Sequence, residues 1–179
     1  VLKVRRGDGK DMIFDSEGIR FGFLTCFDMY FGEYLEKLAA FRPNVILFPS
    51  YQRGEDIFAL YAQTRLCANR CNAFVLRCSY SIAPDSVRGG CTHVASPAGD
   101  PVADFGQQVG VLDCAIDPKQ KNMRANGYGM PMVPADHFVE AGRVPTAYRP
   151  CGSSISLRDR ELPYPRVCAH RGFSTAAPE

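Results

Sequence analysis

The chain has 179 residues, 46% of them apolar, with 21 Lys and Arg against 19 Asp and Glu and a net charge of +2. A chain of this length buries about 70% of its extended surface on folding. The near-balance of charge excludes a nucleic-acid binder that works by neutralising phosphates, and it excludes a highly charged disordered chain. No apolar run approaches the roughly 20 residues of a membrane span, and the polar opening Val1-Leu2-Lys3-Val4-Arg5-Arg6 is no signal peptide. A cytoplasmic protein without a membrane or nucleic-acid partner is therefore expected. The start at Val1 and the stop at Glu179 read as those of a piece of a longer protein.

In chain order, Ile19 to Thr25 is rich in β-formers and reads as a buried strand running into Cys26. Glu33 to Phe41 sets Tyr34, Leu35, Leu38 and Ala39 on one helical face, and Pro43 ends it. Asn44 to Pro49 is a short continuous apolar run, the pattern of a strand covered on both faces. Ile57, Leu60, Tyr61, Thr64, Cys67 and Cys71 recur at helical spacing. Ala73 to Tyr80 is a further strand. Gly90 to Ser96 and Pro101 to Phe105 flank the turn Pro97-Ala98-Gly99-Asp100 and predict a hairpin. Alternation of Leu112, Cys114 and Ile116 predicts a last strand over Val109 to Asp117. Residues 118 to 165 are rich in Pro, Gly and Arg and read as an extended segment. The class is mixed α and β, with a mostly buried sheet.

Eight cysteines are present: Cys26, Cys67, Cys71, Cys78, Cys91, Cys114, Cys151 and Cys168. No C-x-x-C occurs, so a zinc ribbon or redox dithiol has almost no support, and Cys67 with Cys71 finds no further ligands nearby. Cys78 and Cys114 lie in apolar runs and read as buried strand residues. A reduced, cytosolic protein is the plain reading. Cys26 differs from the rest. It closes a strand and precedes a helix, which raises a side chain at the carboxyl edge of a sheet, where α/β sites sit. A helix N-terminus favours thiolate and leaves N–H groups free for an oxyanion. A buried structural cysteine is the competing reading from spacing alone.

The run Gly22-Phe23-Leu24-Thr25-Cys26-Phe27-Asp28-Met29-Tyr30-Phe31-Gly32-Glu33 resembles the nucleophile motif of the nitrilase superfamily of carbon–nitrogen hydrolases, with Gly32 in place of the usual Pro. Further segments resemble that family in order: Asn44 to Ser50, Arg65 to Val75, the hairpin Gly89 to Gly99, and Asp104 to Asp117. The resemblance spans about residues 5 to 118. It implies an α+β fold, the four-layer αββα sandwich, in homo-oligomers. It implies a Cys-Glu-Lys triad acting on small amides or nitriles without a cofactor. Cys26 would be the nucleophile and the Phe27 backbone N–H an oxyanion donor. The family's Glu and Lys lie upstream of the cysteine. Lys3 and Lys10 are too close to Cys26 for that role, and Glu17, in Asp15-Ser16-Glu17-Gly18, reads as a turn residue. Neither partner is assigned, and these 179 residues alone are expected to be inactive. Arg70 stands where relatives carry Glu, and His93 has no role in the family pattern. The His137-x-x-Glu140 spacing is a weak metal pair, more in keeping with an oligomer-contacting tail.

The segment Val167-Cys168-Ala169-His170-Arg171-Gly172, with Pro178-Glu179, resembles the first motif of glycerophosphodiester phosphodiesterases, which are TIM barrels. By that resemblance His170 is an acid/base residue, Arg171 a phosphate ligand and Glu179 a ligand to Ca²⁺ or Mg²⁺. The expected organisation is a partial carbon–nitrogen hydrolase domain over 1–118, an extended tail and linker over 119–163, and the opening of a truncated phosphodiesterase domain over 164–179. Two alternatives stay open: a parent protein whose main activity is the phosphodiesterase, and a nitrilase-fold module that has lost catalysis and serves interaction or oligomerisation.

Overall fold

The computed structural model describes residues 12–52, 55–81, 83 and 89–144. The core is a six-stranded mixed sheet: β1 (Ile13–Ser16), β2 (Ile19–Phe23), β3 (Val45–Ser50), β4 (Phe74–Ser79), β5 (Thr92–Ala95) and β6 (Pro101–Gly106), neighbours in that order. The pairs β2–β3 and β3–β4 are parallel, and the other neighbours are antiparallel. Parallel neighbours need a crossover. Here α1 (Gly32–Ala40) joins β2 to β3 and α2 (Ile57–Cys71) joins β3 to β4.

Both helices pack on one face of the sheet. Leu38 of α1 and Cys67, Ala68 and Cys71 of α2 share a core with Ile46, Phe48 and Val75. Leu38 presses on the sheet at Gly22, where an added Cβ would come within 2.8 Å of its Cδ1. Asp56 caps α2 by accepting from Phe58 N at 2.8 Å, the usual device for a first-turn donor. Asn72 ends the helix at φ +48°, a left-handed conformation that Asn tolerates. Arg65 Nε donates to Gly99 O at 2.6 Å and fastens α2 to the β5–β6 turn.

The other face carries Val45, Phe74 and Val94, with Phe21, Leu47 and Leu76 half-covered. Among the described residues an extended segment crosses it, touching down through Leu112 and Ile116. The strand expected over Val109 to Asp117 is absent. The alternation is real, but no described strand lies beside it to accept a ladder, and Val111 is 88% exposed. Cys78 and Cys114, expected to be buried, are exposed for the same reason: both line a cavity of about 650 Å³ on this thinly covered face. The described residues thus form two layers, helices and sheet.

Beyond it, the stretch read as extended contains a small hairpin, β7 (Met123–Ala125) with β8 (Met132–Pro134), and a short helix, α3 (Ala135–Ala141). The hairpin's strands are only three residues long, too short to show periodicity in sequence. No described helix is long and apolar enough to cross a membrane.

Candidate active site

The carboxyl ends of β2, β3 and β4 gather at one edge of the sheet. β2 stops at Phe23, and Cys26 opens a 3-10 helix, Cys26–Tyr30, that leads into α1. Thr25 and Asp28 form a reciprocal cap: Thr25 N donates to Asp28 Oδ2 at 3.0 Å and Asp28 N to Thr25 O at 2.9 Å. The two bonds together fix the first turn. Cys26 itself sits at φ +43°, a conformation that costs a side-chain-bearing residue energy and persists only where surroundings impose it. The thiol is half-buried and donates to Tyr51 O, at 3.6 Å, just past β3.

Phe27 follows as the second residue of the turn, so its N–H is among the donors a helix start leaves without an internal acceptor. Its ring is 66% exposed and meets Tyr30 and Phe31 at centroid distances of 5.4 and 5.2 Å. Cys26 is thus flanked by an aromatic surface.

Sequence reasoning passed over the residue at the centre of this edge. Arg77, on β4, is 2% exposed. Its Nη1 donates to Gly90 O and Cys91 O, both at 3.1 Å, and its Nη2 to Gln52 Oε1 at 3.2 Å and Ser50 Oγ at 3.4 Å. Phe48 lies beneath the guanidinium, 5.4 Å from ring centroid to Cζ. Burial lowers the Arg77 pKa, although it stays a cation. The available signal was a charged residue inside Phe74-Val75-Leu76-Arg77-Cys78, in register with the helix-covered face.

Next to it lie His93, Cys91, Tyr61 and Asp104. The His93 Nδ1–H donates to Cys91 O at 2.9 Å, its ring packs 4.6 Å from that of Tyr61, and Tyr61 donates to Asp104 at 2.6 Å. Burial lowers the His93 pKa and raises the Cys91 thiol to about 11. His93 does not reach the Cys26 thiol by any hydrogen bond among the described residues, and it is a core histidine, 1% exposed.

The remaining candidates separate. Glu17 is exposed at φ +52° in the β1–β2 turn. Arg70 is committed to Glu36, with Nε to Oε1 at 2.8 Å, and to Glu140 at 3.6 Å. Glu140 is thereby drawn to Arg70, and His137 lies 3.8 Å from Asp136. Cys67 and Cys71 are buried against each other, and their contact raises the Cys67 pKa. No cluster of three metal-ligating side chains occurs among the described residues. Lys3, Lys10, His170, Arg171 and Glu179 lie outside the described residues.

No protein-family profile matches the chain, and no curated protein matches it in sequence. Among solved structures, an alanine-for-cysteine mutant of the amidase from Nesterenkonia sp. AN1, in complex with butyramide, matches with a TM-score of 0.53 at 18% identity, over 76% of this chain and 46% of the amidase. Saccharomyces cerevisiae Nit3, a member of branch 10 of the nitrilase superfamily, gives a TM-score of 0.49 at 24% identity, over 58% of this chain and 39% of Nit3. The Nesterenkonia amidase belongs to the same superfamily. The chain spans less than half the length of either protein, and the match to the amidase shows a shared α+β fold.

Proposed function

We propose that this chain carries the nucleophilic half of a carbon–nitrogen hydrolase for non-peptide amides or nitriles, with Cys26 as the nucleophile. One observation carries the reading: Cys26 stands half-buried at φ +43°, at the start of a helical turn on the carboxyl edge of the parallel strands. The shared amidase fold supports it. The thiolate attacks the carbonyl or nitrile carbon. For an amide, the oxyanion forms against backbone donors that include Phe27 N–H. Collapse of the tetrahedral species breaks the carbon–nitrogen bond, the amine leaves with a proton, and a thioester remains on Cys26. Water, deprotonated by a general base, then attacks the thioester, frees the acid and restores the thiol. The family pattern assigns the base and the lysine to positions upstream of the cysteine, and none of the described residues is given either role. The thinly covered sheet face is where a second sheet would complete the four-layer sandwich.

The test is ammonia release from butyramide and butyronitrile by the complete natural protein and its Cys26→Ala form. Loss of the nucleophile lowers turnover by about 10³-fold or more, and an undiminished rate overturns the reading. For the 179 residues alone, the reading expects turnover below roughly 0.1 per second, two orders under a median enzyme.

A further inference from the structure

A buried cation with only neutral partners is costly, because desolvation of the charge is repaid only in part by dipoles. Among the described residues Arg77 is such a cation. Its four acceptors are two backbone carbonyls, a serine hydroxyl and a glutamine carbonyl, and its Nε finds no partner among the described residues. No described carboxylate lies within ion-pairing distance of it. The planar fork of a guanidinium can hold acceptors on separate elements at fixed positions.

What the fork holds points to Cys26. Ser50 and Gln52 flank Tyr51, whose carbonyl faces the Cys26 thiol. Ser50 Oγ also donates to Gln52 Oε1 at 2.9 Å, so both sides of Tyr51 are tied to one guanidinium. Gln52 Nε2 donates in turn to Tyr30 OH, at 3.3 Å, at the far end of the turn that Cys26 opens. The second arm, through Gly90 and Cys91, fixes the entrance to β5. The other titratable groups acting on the Arg77 charge are Cys91, the Cys26 thiol itself, Glu55 and Tyr61.

We infer that Arg77 is a positioning residue for the Cys26 nucleophile: through Ser50, Gln52 and Tyr30 its guanidinium sets the distance and the angle between the thiol and the sheet edge, and it makes that edge electropositive. The inference rests on the reading of Cys26 as the nucleophile, but its test needs no amide. Lysine is no substitute, because a single ammonium cannot hold acceptors on two strands in one plane.

The experiment is site-resolved alkylation of the full chain by neutral iodoacetamide and anionic iodoacetate, followed by mass spectrometry, with exposed Cys78 as the internal standard. In Arg77→Met, Cys26 labelling relative to Cys78 falls by about tenfold, the size of one charged hydrogen bond lost. The preference of Cys26 for iodoacetate over iodoacetamide, again relative to Cys78, falls with it. Arg77→Lys restores the anion preference but not the rate. If Arg77→Met fails to fold, Gln52→Met and Tyr30→Phe, which cut the link to the turn and leave the charge, must each slow Cys26 labelling with the anion preference intact. An unchanged Cys26 to Cys78 ratio in the folded variants overturns the inference. Altered labelling without any amide turnover in the complete protein would sink the hydrolase reading and leave this one standing. Cys26-dependent turnover with unaltered labelling would do the reverse.

Discussion

His93 shows how a single side chain ties this sheet to pH. Its ring is 1% exposed, it donates through Nδ1 to Cys91 O, and its Nε2 has no partner among the described residues, so it is neutral when folded. Burial sets its folded pKa below the ordinary value of 6.5. Between the two pKa values the unfolded chain binds a proton that the folded chain does not. Stability from this group is therefore fully present above pH 6.5 and falls as pH drops below it, by up to about 1.4 kcal/mol per pH unit. Urea titrations at pH 5, 6 and 7.5 should show a shallower loss in His93→Asn than in the parent, and parallel losses would contradict the buried neutral state. The residue scale is also where sequence reading was uneven. The placement of Cys26 was legible because a strand, a cysteine and a helix follow one another directly. Arg77 was not, because an arginine in a strand is ordinarily an edge or surface residue, and only the register of β4 against β3 shows it facing inward, opposite Phe48.

At the scale of elements, Asn72 joins the end of α2 to the segment after β6. Its side chain donates to Asn122 O at 3.2 Å and Asp136 Oδ1 at 2.7 Å, and accepts from Asn122 N at 2.7 Å. Lys121 Nζ completes the joint with bonds to Pro43 O at 2.9 Å and Asn72 O at 2.8 Å. Asn72→Ala loses three bonds and places Ala at a left-handed φ, and should cost about 3 kcal/mol. Asn72→Gly should recover about 1 kcal/mol of that by relieving the backbone alone. Equal urea midpoints for the two variants would contradict this division. The helices and parallel strands were legible because their periodic faces bury against one another. The segment 109–117 was misread because alternation reports which residues face a surface, not whether a neighbouring strand exists to pair with. Residues 118–141 hold short elements fixed by distant side chains such as Asn72, a signal absent from local sequence.

Across the molecule the two faces of the sheet differ in what holds them. Leu38, 0% exposed where α1 packs on the sheet, should lose about 2–5 kcal/mol on truncation to Ala. Val111→Ala, on the thinly covered face, should change stability by less than about 0.5 kcal/mol. Similar losses for both in thermal or urea unfolding would show that the stabilising core is not where the burial places it.

The hydrolase account stands or falls on the thioester at Cys26. The most direct measurement mixes the complete natural protein with butyramide, quenches in acid within the first turnovers, and maps the adduct by peptide mass spectrometry. The account predicts a butyryl group on the peptide containing Cys26, lost on treatment with hydroxylamine and absent from Cys26→Ala. Butyramide hydrolysis that persists in Cys26→Ala, or a butyryl group carried by another residue, would contradict it.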